Sequence, residues 1–129
     1  MAEARWPRRG ELFWVDWSPA RGSEPAGRRP ALIVQRDAGN AAATYPNTVV
    51  VAVSSQGREI PFHVRLRPNR ENGLKNVCFV KCEQIFTISK ERLGTRLGRL
   101  SRDELRGVDE GLRLNLALDE EGSGSRQAR

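Results

Sequence analysis

A chain of 129 residues suits one domain with one core, and its net charge of +6 with a pI near 10.3 favours a polyanionic partner, because phosphate contacts release counterions. No run of about 18 apolar residues is present, so no membrane-spanning helix is expected, and the charged stretch Met1–Arg9 lacks the apolar core of a signal peptide. Two cysteines exclude a disulfide framework: Cys78 and Cys82 stand in one expected strand, roughly 13 Å apart by strand rise and too far to bridge, which makes the cytoplasm the expected compartment.

Residues 1–8 are expected to form a flexible N-terminus. From residue 9 to 118 a single domain is expected. Glu11–Trp17 is rich in strand formers. The stretch from Ser18 to Arg29 holds Pro19, Gly22, Pro25 and Gly27 and reads as a loop. Pro30–Arg36 is a second strand whose apolar run implies cover on both faces. After a connection through Gly39, Asn40 and Pro46 comes the strongest strand signal, Thr48–Val53, ending on Ser54 and Ser55. Phe62–Arg67 alternates strictly, which predicts a half-buried strand with His63, Arg65 and Arg67 on an outer basic face. Pro68–Asn76 is a turn and Val77–Ile85 a fifth strand. Ser89–Leu93 is expected to form a short helical turn.

A helix then starts at a capping box, Ser101 with Glu104, and Leu100 with Leu105 can staple it. Leu105, Val108, Leu112 and Leu116 share one face. Gly107 and Gly111 each cost roughly 1 kcal/mol against alanine, so tertiary packing must support this helix. Residues 119–129 are polar and are expected to be a disordered tail. Short strands with a turn every 8–12 residues, followed by one packed helix, predict a small antiparallel barrel whose closure would remove its edges.

The residues able to do chemistry are few. One histidine and two cysteines on one strand offer no zinc-ligand spacing, so no metal and no cofactor are expected. His63 reads as a surface histidine. What remains is the polar loop Arg21–Arg29 beside a strand ending on Ser54 and Ser55.

Several ordered segments resemble a known family. Arg9-Gly10-Glu11-Leu12, then Asp16-Trp17-Ser18-Pro19 and Gly22-Ser23-Glu24, are similar to the opening of the MazF/PemK toxins. Gly27 with Arg29-Pro30, the buried strand Asn47–Ser54, Pro61–Val64, Glu83-Gln84-Ile85 with Thr87, and Val108–Leu112 continue the match in order over residues 8–118. The resemblance implies an SH3-like barrel of the MazF/CcdB type with a C-terminal helix and short helical additions. It implies a homodimer, an acidic antitoxin of the MazE kind, and metal-independent cleavage of single-stranded RNA to 2′,3′-cyclic phosphate and 5′-hydroxyl ends. It places catalysis on Arg29 and Ser54, with Ser55 one register away. Ser23, Glu24, Arg28 and Gln84 are implied as supporting or RNA-binding residues.

These residue types suit the chemistry. The attacking 2′-hydroxyl comes with the substrate, so proximity is already supplied. The planar fork of arginine matches phosphate oxygens, and a serine hydroxyl can donate to a non-bridging oxygen. Arginine stays charged and is a poor base; Glu24 is a candidate only by nearness in sequence, and the base stays open. A non-catalytic CcdB-like toxin and a plain nucleic-acid-binding barrel are the alternatives, and neither needs Arg29 with Ser54. RNA specificity is expected in the loop at residues 18–28 and the turn at residues 57–60.

Overall fold

The computed structural model describes residues 6–18, 22 and 24–120. Six strands, β1 (Glu11–Asp16), β2 (Arg28–Ile33), β3 (Asn47–Ser54), β4 (His63–Leu66), β5 (Cys78–Ser89) and β6 (Leu93–Arg99), form one antiparallel sheet in the order β4-β5-β3-β2-β1-β6. A five-residue helix, α1 (Asp37–Ala41), joins β2 to β3, a 3-10 turn at Lys90–Arg92 joins β5 to β6, and α2 (Arg102–Leu116) follows β6.

Alternation along the central strands builds two cores on the two faces of the sheet. Leu32, Val51 and Val53 pack on one face with Leu12, Val80 and Val108 of α2. Ala31, Ile33, Val50 and Ala52 pack on the other with Val15, Trp17 and Ile88. The continuous apolar run of β2 is thus covered on both sides, as expected. The capping box at Ser101 and Glu104 is formed with both bonds in place, and Leu100 and Leu105 both pack on the first core. Val108 is buried, whereas Leu116 at the helix end is half exposed. Gly111 explains why α2 carries glycine: a Cβ there would lie 2.8 Å from Cys82 Sγ.

Closure is a correction. The sheet is open, with β4 and β6 as its edges. The turn after β4, rather than β4 itself, meets β6: the Arg99 amide donates to the Glu71 carbonyl at 2.9 Å. The two backbones approach so closely that a Cβ on Gly73 would lie 2.1 Å from the Leu97 carbonyl oxygen, and one on Gly98 2.1 Å from that of Glu71. Gly73 also holds φ +69, a left-handed conformation that favours glycine. A turn therefore fills the place where a barrel would have a last ladder.

Two elements were absent from the sequence-based expectation. One is α1; the other is β6, which pairs with β1 through two register shifts. A third irregularity lies within β5. Val51 stands opposite Ile85 but Val53 opposite Val80, so β5 spends extra residues at 81–84. Its first part pairs with both β3 and β4, and its second part with β3 alone.

Candidate active site

Strand register brings Arg29 and Ser54 together. Ala31 pairs with Ala52, Leu32 with Val51 and Ile33 with Val50. Continuing that register by two residues puts Arg29 opposite Ser54, where β2 and β3 leave the core. The hydrogen-bonded pairing itself ends at Ala31–Ala52, so Arg29 and Ser54 lie two residues beyond it on the same count. Ser55 is displaced from this position by one residue and lies just beyond the end of β3.

Both residues line a cavity of about 560 Å³. Trp14, Pro30, Leu74 and Leu97 supply apolar wall, and Arg28, Arg29 and Lys75 supply three cations. No carboxylate and no imidazole is among the described lining residues. Nor does any described carboxylate form an ion pair with these three cations. The cavity thus presents positive charge against apolar walls, which strengthen its field.

Two of the polar side chains, Arg28 and Ser54, are held in place. The Arg28 guanidinium stacks over the Trp14 ring, 4.5 Å from its centroid, which fixes it at the cavity wall. Ser54 is half-buried, and its Oγ accepts a hydrogen bond from the Gln56 amide at 3.1 Å. That bond uses a lone pair and leaves the hydroxyl hydrogen to donate elsewhere. Ser55 also lines the cavity but is exposed.

The other expected residues are placed differently. Gln84 is half-buried within the extra residues of β5, and Glu24 is exposed on the β1–β2 loop; neither lines the cavity. Ser23 lies outside the described residues. Trp14, Lys75 and Asn76 line the cavity although sequence reasoning passed over them. Lys75 and Asn76 sit in a turn-rich segment, where a polar residue reads first as solvated connection.

His63 is not a surface histidine. Its side chain is 5% exposed, and Nε2 lies 2.9 and 3.0 Å from the two Glu83 carboxylate oxygens. Nδ1 accepts from the Arg58 amide at 3.0 Å, so Nε2 carries the hydrogen that is donated to Glu83. This tie anchors the loop that leaves Ser54, outside the cavity itself.

Cys78 and Cys82 are free, buried thiols, as expected. Burial pushes the Cys78 thiol up. Burial, with Glu83 and Asp109 adding negative charge nearby, pushes Cys82 up to about 12. Both are therefore protonated at neutral pH, and Cys78 adds no charge to the cavity wall. A raised thiol pKa stabilises the fold below the ordinary value of 9.0, and that contribution is lost as pH climbs from there toward 12. Native protein at pH 8 should resist iodoacetamide at Cys82, while urea-unfolded protein is alkylated there; mass spectrometry showing equal labelling would contradict the burial.

Among the described residues no group of three His, Cys, Asp or Glu side chains is gathered for a metal. No described helix is long and apolar enough to cross a membrane.

Comparison with known proteins places this arrangement. Residues 8–116 match the family described as PemK-like, MazF-like toxin of type II toxin-antitoxin system. The chain is 44% identical over 115 residues to Endoribonuclease MazF9 of Mycobacterium tuberculosis, covering 86% of this chain and 97% of that protein. Its fold matches a mycobacterial endoribonuclease solved in complex with its cognate antitoxin, with TM-score 0.73 and 26% identity over 89% of this chain and 99% of that one. It also matches MazF from Deinococcus radiodurans, with TM-score 0.72 and 28% identity over 88% of this chain and 99% of that one.

Proposed function

Because this chain belongs to the PemK/MazF family of toxins from type II toxin-antitoxin systems and is an endoribonuclease of that family, we propose that the cavity holding Arg29 and Ser54 is where it cuts single-stranded RNA. The carrying observation is that cavity: two strand ends in register, three cations, a serine hydroxyl free to donate, and no carboxylate on the described wall.

The substrate's 2′-hydroxyl attacks the adjacent phosphorus and the 5′-oxygen leaves, giving a 2′,3′-cyclic phosphate and a 5′-hydroxyl. One proton passes from the 2′-oxygen to solvent water, and one passes from water to the departing 5′-oxygen. Arg29 stabilises the two negative oxygens of the phosphorane through its planar fork. Ser54 donates to one of them, while the Gln56 amide holds its oxygen in place. Arg28 and Lys75 neutralise the phosphates on either side. No described carboxylate or imidazole is positioned as a base, so the protein's main contribution is charge stabilisation.

In this reading the protein acts in the cytoplasm as a homodimer. It is neutralised by an antitoxin that carries an acidic, partly extended segment, because carboxylates can occupy the positions of RNA phosphates. Such a segment orders on binding, and opposite charge makes its association fast and salt-sensitive.

Cleavage needs no bound metal in this scheme, since the attacking hydroxyl comes with the RNA and Arg29 and Ser54 stabilise the phosphorane. A mixed single-stranded RNA should be cut at an unchanged rate in EDTA, and the downstream fragments should carry free 5′-hydroxyls. Loss of cutting in EDTA with rescue by magnesium, or 5′-phosphate ends, would overturn the scheme.

A further inference from the structure

The seam between the turn after β4 and strand β6 has a cleft at each end. At one end, Gly73, Lys75 and Leu97 wall the cavity that holds Arg29 and Ser54. At the other, Glu71 and Arg99 wall a second cleft of about 410 Å³ together with Arg8 and Arg102. Leu97 and Arg99 are two residues apart on β6, about 7 Å along the strand, across the register shift between Arg96 and Gly98. The two clefts are thus neighbours along one edge strand.

The lining of the second cleft is positive by one charge, with Arg8, Arg9, Arg99 and Arg102 against Glu11, Asp37 and Glu71. Glu11 and Asp37 are both hydrogen-bonded. Glu11 binds Arg96 at 2.7 Å and the Arg8 amide at 2.8 Å, and Asp37 accepts the Arg9 amide at 2.7 Å. Arg9 is itself paired with Asp109 at 2.6 Å. Arg8, Arg99 and Arg102 are all exposed. No described carboxylate pairs with Arg8 or Arg102, although the Arg8 guanidinium stacks over the Trp6 ring, 4.3 Å from its centroid, and Arg99 meets Glu71 only at 3.7 Å with both side chains more than half exposed, a weak contact.

We propose that Arg8, Arg99 and Arg102 bind backbone phosphates of the RNA strand that flank the scissile bond. The proposal rests on the reading that the Arg29–Ser54 cavity cuts RNA. Exposed guanidinium groups beside that cavity suit a phosphate backbone. The cleft offers one apolar side chain, the buried Leu100, and so no pocket for the anchor residue of a protein partner. Phosphate contacts of this kind add affinity without reading sequence, so longer RNAs should be cut more efficiently than those ending at the first cavity.

The test compares the wild type, the triple variant Arg8→Ala/Arg99→Ala/Arg102→Ala and the matching triple lysine variant. The substrates are a short RNA spanning only the cut site and the same site extended on both sides. The alanine variant should lose about tenfold in kcat/KM on the long RNA and forfeit the advantage of length, while the lysine variant retains most of both. In binding to a long RNA made uncleavable by a 2′-deoxy sugar at the cut, the slope of log affinity against log salt should fall by about 2, at roughly 0.7 per phosphate contact. Wild-type kinetics on the long RNA with an unchanged salt slope would overturn the proposal. So would a variant that weakens only the acidic antitoxin. Cleavage of no RNA by the wild type would instead fell the underlying reading, and the uncleavable strand would still judge the track.

Discussion

Replacing Arg29 by alanine should slow cleavage of single-stranded RNA by about 10²–10³-fold, with the fold intact. Arg29 is exposed at the end of β2 and pairs with no described carboxylate, so its removal leaves no buried charge behind. The loss falls on the transition state, where the phosphorane carries more charge than the ground-state diester. Single-turnover rates should therefore drop with little change in binding of an uncleavable RNA. Ser54→Ala should act in the same direction, because it removes the one described hydroxyl that stands in register with Arg29. Ser54→Thr should recover activity, since the hydroxyl and its bond from the Gln56 amide both survive. Ser55→Ala should cost little. Full activity in Arg29→Ala would remove the basis of the mechanism, and a dead Ser55→Ala beside an active Ser54→Ala would shift the site by one residue.

The second large effect should come from Gly98→Ala, which touches no reacting group. A methyl there would sit 2.1 Å from the Glu71 carbonyl oxygen. Backbone cannot retreat as a flexible side chain can, so the turn after β4 must lift from β6. Overpacking of this kind costs about 1–3 kcal/mol, and each kcal/mol lowers the melting temperature of a domain this size by roughly 4–8 °C. Activity should fall as well, because Gly73, Lys75 and Leu97 form one wall of the cavity. Gly107→Ala is the contrast: its Cβ would have 3.6 Å to Val64, so alanine should stabilise α2 by up to about 1 kcal/mol. Equal melting temperatures for Gly98→Ala and the wild type would show that the seam yields easily.

What was legible in the sequence is what local pattern encodes. The apolar run of β3, the covered faces of β2 and the capping box of α2 each follow from a few neighbouring residues. Strand β6 did not, because Leu93-Gly-Thr-Arg-Leu-Gly-Arg99 has no alternation and two glycines that read as breaks. Those glycines serve close approach instead: Gly94 lies against the Trp14 carbonyl and Gly98 against that of Glu71. His63 was misread because its partner Glu83 is 20 residues away. Arg29 and Ser54 were singled out by family resemblance, and their opposition became visible only through the register of β2 and β3. Glu24 and Gln84 came from the same resemblance and lie off the cavity wall. Lys75 carried no signal, since nothing local distinguishes a lysine on a cavity wall from one in a solvated turn.

The position of β6 also governs when the toxin can first act. Strand β1, near the start of the chain, has β6 as its outer neighbour, and Leu97 of β6 completes the cavity that Arg29 opens. At about 5–20 residues per second of synthesis, several seconds separate the emergence of Arg29 from that of Leu97. Throughout that interval the nascent chain holds Arg29 without an assembled cavity. Contacts so distant in sequence also close slowly. A cell making this enzyme is therefore exposed to it only after nearly the whole domain has left the ribosome.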